Sequence, residues 1–474
     1  MRTKLMIQIF LLTTMASCLL SCKKDYLNEV NDNSTLIRQD YVVDLKTTSE
    51  FALGIYIKLS LNLDASLIYP DLAADNLKPI GNSPLSALYK WQQQPDESSS
   101  SGVRPETGNL NGVSYNAYGA IRSCNFVIEK ANEFEKENPA LAASLLGQAY
   151  GLRAFLHLFL VNYFAQQVNF TSDGSHRGIA YITSSKWTDQ GTRLPVKEVY
   201  RLAIQDLDRA LALPISPTKP IYFTKTAALA LLARAYLNTG QLQNAISRSR
   251  EVIAVKPLML AGYPNNLFTS NDTEAIFSSP PAAAGANYSV LFPSFYFREF
   301  ISFEATADIA DLLTESATDK RSVWVNKTAV GGWNVVKFPQ NAFTSDDFPS
   351  NLYYVPLIRS SEMYLIAAES YAKLNRPDSA VFFLDQVRQR ADVNAGATTV
   401  MGAELLNAVY KERRKELAFE GFRMFDLMRW KLPVKREDAV AGSPKELSYP
   451  NDKAIAPIPL LDVKSSGLDQ NDGY

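Results

Sequence analysis

Two loop tryptophans with amide and acid side chains beside them are the residues of this sequence best suited to a chemical task. Trp91 precedes three glutamines and Asp96, and Trp324 comes shortly before Asn326. An aromatic ring can pack on the apolar C–H face of a sugar, while amides and carboxylates exchange hydrogen bonds with its hydroxyls. The pattern predicts oligosaccharide binding, and the candidate ligand-binding residues are Trp91, Gln92, Asp96, Tyr288, Tyr296, Trp324, Asn326 and Trp333. For each loop tryptophan an equally good interpretation is that the ring anchors its loop on the scaffold, and Trp430 is assigned to packing.

The sequence contains little that predicts catalysis. Its two histidines are His157, inside an apolar helical segment, and His176, in a polar loop. It has no nucleophile elbow, metal-ligand cluster, phosphate-binding glycine loop or dinucleotide fingerprint. Asp71, Asp75 and Asn76 offer three oxygens without the spacing of a calcium loop, so we expect helix capping there and no metal site. We therefore expect no enzymatic activity and no cofactor. A glycosidase stays an alternative, because that chemistry needs only two carboxylates.

The N-terminus indicates export. Arg2 and Lys4 precede an apolar run over residues 5–20, which is too short to span a membrane and has the form of a secretory signal. The run ends at Ser21-Cys22, and we expect cleavage after residue 21 and lipidation of Cys22. An ordinary signal peptide is the alternative. Residues 22–40 are polar and predict a flexible tether, and the remaining Cys124 is expected to be a small buried hydrophobic residue.

Helical periodicity predicts a mainly α fold. Apolar spacing indicates helices at residues 47–63, 115–135, 141–164, 194–213, 226–238 and 241–255. Ala233, Tyr236 and Ala245 recur at one constant offset as Ala368, Tyr371 and Ala380, and Gly240 in the first turn aligns with Asn375. Small residues facing bulky ones across antiparallel helices are typical of tetratricopeptide-like hairpins, of which we expect about four.

Residues 257–356 interrupt this pattern with prolines, glycines and aromatics. We expect this loop-rich insertion to lie over the helical scaffold, outside its core, and to carry the ligand face. The predicted organisation is one compact domain with an N-terminal helical region at 41–256, the insertion at 257–356 and a C-terminal region at 357–474.

A charged segment near the C-terminus, residues 411–430, is the most distinctive part of the sequence. Its acids and arginines are three or four residues apart, which predicts a helix held by ion pairs along its own face, or alternatively a solvated face. Gly421 occupies the place of a left-handed cap, so a short second helix is expected to fold back from residue 422.

The order of residue types in this segment resembles the signature of the SusD/RagB family of outer-membrane lipoproteins. The matching positions are Arg413, Glu416, Leu417, Glu420, Gly421, Arg423, Asp426, Leu427 and Arg429. A second family helix is matched by Arg359, Glu362, Leu365, Ala368 and Glu369, and the closing motif by residues 457–474. In that closing motif Asp462 replaces the usual Glu, and Ser466-Gly467 replaces the common Asn-Pro.

This resemblance implies a lipoprotein on the outer surface of a Bacteroidetes-type bacterium. It would capture a nutrient, usually an oligosaccharide, as a lid on a SusC-like TonB-dependent outer-membrane transporter. The net charge of −1 gives no indication of nucleic-acid binding. Three alternatives stay open: a peptide-binding member of the family, a lipid-anchored glycan hydrolase, and a scaffold of the tetratricopeptide kind.

Overall fold

A computed structural model describes residues 41–60, 63–81, 85–96, 110–279, 302–338 and 354–474. The signal segment, Cys22, the tether, Tyr288 and Tyr296 lie outside these ranges. Helices dominate the described residues: α1 (Leu45–Ser60), α2 (Leu63–Leu72), α3 (Ser86–Tyr89), α4 (Asn111–Glu133), α5 (Pro139–Phe164), α6 (Val196–Ala212), α7 (Lys225–Asn238), α8 (Leu242–Val255), α9 (Ala307–Thr314), α10 (Ser360–Lys373), α11 (Pro377–Ala391), α12 (Gly402–Glu416), α13 (Arg423–Arg429) and α14 (Leu460–Ser466).

Ten short strands form five antiparallel pairs in the described chain. They are β1 (Leu77–Pro79), β2 (Arg177–Ala180), β3 (Arg193–Pro195), β4 (Ala275–Ser279), β5 (Phe303–Ala305), β6 (Val325–Lys327), β7 (Trp333–Val335), β8 (Val355–Arg359), β9 (Val434–Lys435) and β10 (Glu446–Leu447). The pairs are β1 with β5, β2 with β3, β4 with β8, β6 with β7, and β9 with β10. Each pair is a small separate sheet that connects two stretches of chain. The helices form the body of the protein.

The boundary between α4 and α5 is set by local sequence. Asn138 is the N-cap of α5 and its side chain accepts a hydrogen bond from the Leu141 amide at 3.1 Å. Pro139 occupies the first helical turn, where its missing N–H costs nothing. The predicted break between these helices is confirmed. Helices α4, α5 and α6 pack on one another in chain order.

The repeated hairpin is confirmed. Helices α7 and α8 form one antiparallel pair, α10 and α11 form the other, and α8 packs on α10. The turn residues Gly240 and Asn375 have φ angles of 73° and 55°, the left-handed values that their residue types tolerate. The aligned alanines of both hairpins are fully buried, which lets the helix axes approach closely: Ala233, Ala245, Ala368 and Ala380. The fold is tetratricopeptide-like, as the sequence predicts.

Helix α5 is long and apolar enough to cross a membrane, alone among the described helices, but most of it is buried inside the protein. Cys124 of α4 is also buried, as predicted, and burial raises the pKa of its thiol to about 12. Both observations identify the α4–α5 region as the centre of the large apolar core.

The expectation that residues 257–356 lie outside the core is wrong for the part that the structure describes. Tyr263, Phe268 and Trp324 are buried in the same apolar cluster as α5. Strands β4 and β5 pair with β8 and β1, which brings this stretch between the helices instead of over them. Phe277 of this stretch meets the rings of Phe155 and Phe223 edge-on.

The corner between α12 and α13 is also observed. Helix α12 ends at Glu416, a turn earlier than the charge pattern predicts, and Phe419 and Gly421 adopt φ angles of 67° and 80°. A Cβ on Gly421 would lie 3.2 Å from the Cα of Leu67, so this close crossing of the chain suits only glycine.

Candidate functional site

Trp91 is a buried anchor in this structure. Its ring is 6% exposed, and its indole Nε1 donates to the Ala73 carbonyl at 2.8 Å. The Arg436 guanidinium lies 4.1 Å from the ring centroid, and that group donates to the carbonyls of Leu72, Ala73, Ala74 and Tyr89. A sugar could reach the ring only if Arg436 moved. The arrangement corresponds to the loop-anchoring interpretation, while the neighbouring Gln92 is exposed.

Trp324 is buried as well, at 2% exposure. The Lys337 ammonium lies 3.9 Å from its ring centroid, and the Tyr263 ring meets it edge-on. Tyr263 also donates a hydrogen bond to Glu416 at 3.1 Å. This tryptophan therefore packs against the charged core described below and offers no free ring face.

Asn326 and Trp333 lie on the β6–β7 hairpin but are not brought together. The register pairs Asn326 with Asn334 and Lys327 with Trp333. Because successive residues of a strand point to opposite faces, Asn326 and Trp333 lie on different faces of the hairpin. Asn326 is exposed, and Trp333 is half-buried with the Lys327 ammonium 5.5 Å from its centroid.

Asp96 joins three parts of the chain. Its carboxylate accepts a hydrogen bond from the Asn111 amide at 2.7 Å, and its carbonyl accepts one from the Leu460 N–H at 3.1 Å. Asp96 thus connects its own loop to the starts of α4 and α14. Its carboxylate is half-buried and engaged in this junction.

The charges of α12 form a buried network with partners far away in sequence. Glu416 is fully buried and lies 2.7 Å from both Arg359 and Arg390, and 3.2 Å from Arg321. Burial alone would raise the pKa of this carboxyl, but the three guanidinium groups hold it well below its usual range. Arg390 also pairs with the buried Glu274.

A second layer of the network surrounds Glu420. It pairs with Arg359 at 2.8 Å and with Lys337 at 2.5 Å. Burial lowers the pKa of Lys337 to about 8, with Glu420 opposing the change. Arg321 pairs with Glu412 at 2.6 Å on the other side. Burying this many charges is tolerable only because each is paired.

The flanking charges also pair over long range. Arg413 meets Asp426 at 2.8 Å, Arg429 meets Glu369 at 2.5 Å, and Arg423 meets Asp75 at 2.6 Å. For α12 both predictions, ion pairs along its own face and a solvated face, are therefore wrong, whereas in α13 Asp426 and Arg429 do pair along the helix at 2.8 Å. The reason is that the face packs against β8, α10 and α11, whose charges complement it. Trp430 stacks on Tyr410 with centroids 3.9 Å apart, which confirms its packing role.

Asp71 caps a turn instead of a helix, which corrects the capping prediction. Its buried carboxylate accepts hydrogen bonds from the amides of Phe419 and Gly421 at 3.1 and 2.9 Å, and from Asn76 at 2.6 Å. Burial raises the pKa of Asp71 to about 6. Within the described ranges no group of three His, Cys, Asp or Glu side chains could hold a metal ion.

His157 is a core residue, as predicted. Its Nε2 accepts a hydrogen bond from the Ile182 amide at 3.0 Å, so its Nδ1 carries the proton and donates to the Arg153 carbonyl at 2.8 Å. The ring stacks on Tyr181, and burial lowers its pKa to about 3. A neutral imidazole with both nitrogens engaged is not available as a general base.

Two concave places on the described surface differ in size. A cavity of about 630 Å³ lies between the 168–174 loop, α6 and the Thr239-Gly240 turn, with Lys373 and Arg429 at its wall. A smaller one of about 140 Å³ lies between α4, the loop 183–191 and α14. The smaller cavity contains Trp187 and Tyr115, which are 53% and 55% exposed. The sequence predictions missed Trp187, although Gln190 follows it as the glutamines follow Trp91.

Comparison with known proteins gives concordant similarities. A family model described as "SusD family" matches residues 312–474, and one described as "Starch-binding associating with outer membrane" matches residues 25–237. "SusD-like protein P2" of Formosa agariphila is 27% identical over 417 residues, which cover 76% of this chain and 79% of that protein. "SusD-like protein P25" of the same organism is 21% identical over 438 residues, covering 80% of this chain and 79% of its own length.

Solved structures show the same fold. A SusD superfamily protein from Bacteroides vulgatus has a TM-score of 0.79 at 21% identity, covering 91% of this chain and 99% of its own. The surface glycan-binding protein A of Bacteroides fluxus has a TM-score of 0.70 at 20% identity, covering 90% and 99%.

Proposed function

This chain belongs to the SusD/RagB family, and on that basis we propose that it is an outer-membrane lipoprotein that binds a nutrient glycan and delivers it to a SusC-like TonB-dependent transporter. The observation that carries the proposal is the match of two family models to separate parts of the chain, one of them described as starch-binding and outer-membrane associated. Acylation of Cys22 would attach the protein to the membrane, with residues 22–40 as the tether and the folded body on the extracellular side.

Binding without catalysis is supported by the state of the buried acids. Glu274, Glu416 and Glu420 are each paired with arginine, and the pKa values of Glu416 and Glu420 are lowered in spite of burial. A glycosidase needs a carboxylic acid that keeps its proton near neutral pH. Their cations hold Glu416 and Glu420 ionised, and His157 is neutral and engaged. Burial raises the pKa of Asp71 to about 6, but its carboxylate is fully buried and already accepts three hydrogen bonds. We therefore propose a binding protein and not a hydrolase.

For ligand contact we propose the predicted residues that reach the surface, namely Gln92, Asn326 and the half-buried Trp333, together with Tyr288 and Tyr296. The buried Trp91 and Trp324 are assigned to holding these loops in place. This division assigns recognition to loops and positioning to a rigid helical body, a common arrangement in binding proteins.

Binding is tested with the protein lacking residues 1–22, by electrophoresis in gels that contain single neutral polysaccharides. Retardation by at least one of them, with no release of shorter sugars on long incubation, is the expected result. Release of sugars would establish a hydrolase instead, and migration unchanged in every gel would contradict glycan binding.

The transporter partner is tested with the full-length protein purified from native membranes. We expect it to copurify with a TonB-dependent barrel, and a Cys22→Ser variant to lose membrane attachment. A full-length protein found free in the periplasm would overturn the localisation.

Peptide cargo is the second candidate, and the 630 Å³ cavity beside the hairpin turn favours it. Lys373 and Arg429 lie at its wall, together with Tyr200 and Asn238, a mixture of cationic, aromatic and amide groups that suits a peptide segment. Binding of a peptide library, with no glycan bound in the same gels, would support this alternative.

A further inference from the structure

The smaller cavity is built from three separate stretches of chain that the structure fixes in place. Tyr115, Tyr118 and Arg122 lie at helical spacing on one face of α4. The loop 183–191 brings Trp187 and Gln190, and α14 brings Asp462. We call this place the Trp187 cleft. The volume of about 140 Å³ is below the ~300–1,000 Å³ of sites that enclose a drug-sized ligand, so it has room for one ring of a longer molecule.

Arg122 preorganises the loop that carries Trp187. Its guanidinium lies 5.0 Å from the centroid of the Trp187 ring and donates to the carbonyls of Ser184, Lys186 and Asp189. Asn125 adds hydrogen bonds to the Ile182 and Ser184 carbonyls. These hydrogen bonds of Arg122 and Asn125 hold the loop in place, while the Trp187 indole ring remains half exposed. A rigid exposed ring binds with little loss of conformational entropy.

The opposite wall is equally fixed. The Leu460 amide at the start of α14 donates to the Asp96 carbonyl at 3.1 Å. Gln470 exchanges hydrogen bonds with the Ile458 main chain at 2.7 and 2.8 Å. At the floor, the Tyr118 hydroxyl donates to the Ala180 carbonyl at 3.1 Å.

The polar groups that face the cleft are not engaged. The Asp462 carboxylate is half-buried, yet it accepts no hydrogen bond and meets no cation within the described ranges; burial raises its pKa. Nor do the Trp187 indole N–H, the Tyr115 hydroxyl and the Gln190 amide have a hydrogen-bond partner in the described chain. This contrasts with the buried charges of α12, each of which is paired: Glu412, Arg413, Lys415 and Glu416.

We propose that the Trp187 cleft binds one pyranose ring of a neutral glycan. The sugar ring packs on the exposed aromatic faces of Trp187 and Tyr115, and its hydroxyls donate to the Asp462 carboxylate. A neutral sugar is selected because the unpaired carboxylate repels a uronate or a sulfate ester, and the nearby cation, Arg122, already donates to three carbonyls. This inference rests on the proposed function and adds to it a ligand class and a further site, whose lining does not include Gln92, Asn326 or Trp333.

The test is calorimetric titration of the protein lacking residues 1–22, which leaves the whole described body in place. The probes are neutral hexasaccharides of glucose, xylose and mannose, with oligogalacturonate as the acidic comparison. For the neutral glycan that binds, Trp187→Ala is expected to weaken affinity by about tenfold or more, as for a central aromatic contact. Tyr115→Ala and Asp462→Asn are expected to weaken it by about threefold to tenfold.

Phe382→Ala is the matched control, because Phe382 is 57% exposed on α11 and lies outside the cleft. Its affinity should equal that of the unchanged protein. A second readout is the indole N–H resonance of Trp187 in nuclear magnetic resonance spectra, assigned with Trp187→Phe. It should shift when the glycan is added.

The outcomes separate this inference from the proposed function. If a neutral glycan binds but the three cleft variants keep their affinity and the Trp187 resonance does not move, the cleft assignment is overturned and the proposed function stands. A preference for oligogalacturonate, or displacement of the Trp187 signal by peptides alone, overturns the ligand class. If no glycan binds the unchanged protein, the proposed function fails and this inference with it.

Discussion

Trp91 and Trp187 each have an arginine over the indole ring, and in both cases backbone carbonyls hold that arginine. Arg436 covers Trp91 and Arg122 supports Trp187. The two regions differ in how much of the tryptophan side chain remains accessible to a ligand. Around Trp91 the indole N–H is bonded and the ring is 6% exposed, whereas the Trp187 N–H has no hydrogen-bond partner among the described residues and its ring is 53% exposed. A tryptophan whose N–H is bonded and whose ring is covered has a structural role, whereas one with a free N–H and an exposed ring is available to a ligand. Neither the residue type nor the arginine beside the ring distinguishes the two.

The comparison is tested most strongly by truncating each ring. Trp91→Ala opens a cavity in the core and removes one of the two donors to the Ala73 carbonyl, so we expect it to lower the free energy of unfolding by about 3–5 kcal/mol. Trp187→Ala removes an exposed ring and should change that quantity by less than ~0.5 kcal/mol. Urea unfolding of both variants measures the contrast. Equal losses would mean that exposure in this structure does not separate the two roles.

The second-largest effect is expected from acid, which should lower the stability of the Trp91 region. Asp75 comes directly after Ala74, whose carbonyl binds Arg436. Its carboxylate pairs with Arg423 at 2.6 and 2.8 Å. Burial would raise the pKa of Asp75, but Arg423 and Arg414 lower it from 3.8 to about 2. Because the folded pKa lies below the unfolded one, this stabilisation is complete above about pH 4 and is lost as pH falls toward 2, amounting to about 2 kcal/mol.

Urea unfolding as a function of pH measures this effect. An Asp75→Asn variant should be less stable at neutral pH and should lack this part of the acid dependence. Acid dependence of equal size in the variant would assign the effect to other carboxylates.

Removing Arg122 should have a smaller effect on stability than either change in the Trp91 region. Arg122→Ala removes the donor of the Lys186 and Asp189 carbonyls, while the Ser184 carbonyl keeps the Asn125 amide. Because this loop borders solvent, a loss of about 1 kcal/mol is expected. The Trp187 indole resonance should broaden, because the ring loses its support. An unchanged resonance would show that the hydrogen bonds of the loop to Asn125 and Glu129 are enough to hold the ring.

The part of the fold that the sequence predicted depends on local signals. Asn138 and Pro139 mark a helix start by chemistry that acts within four residues. Gly240 and Asn375 mark two equivalent turns because few residues adopt positive φ. These signals need no knowledge of the tertiary structure, and the predicted helices follow them closely.

The parts that could not be predicted depend on distant partners. Spacing showed that Glu416 could pair along its own helix, but its arginines come from β8, α11 and the segment after α9. Likewise, no residue near Trp91 in the sequence indicates that Arg436 covers its ring. Trp187 is different, because its local pattern with Gln190 matched the criterion applied to Trp91, and only its neighbourhood in space reveals the unpaired Asp462.

The wide sequence span of the charged network has a consequence for biogenesis. Arg321, Arg359 and Arg390 precede their acidic partners on α12 in the chain. A polypeptide that stops short of that helix would lack Glu412 and Glu416, so that only Asp319 and Glu274 would offset three buried guanidinium groups, which is costly. Prematurely terminated or clipped products should therefore fail to reach a native state and be cleared by proteases, so that only complete molecules persist at their destination.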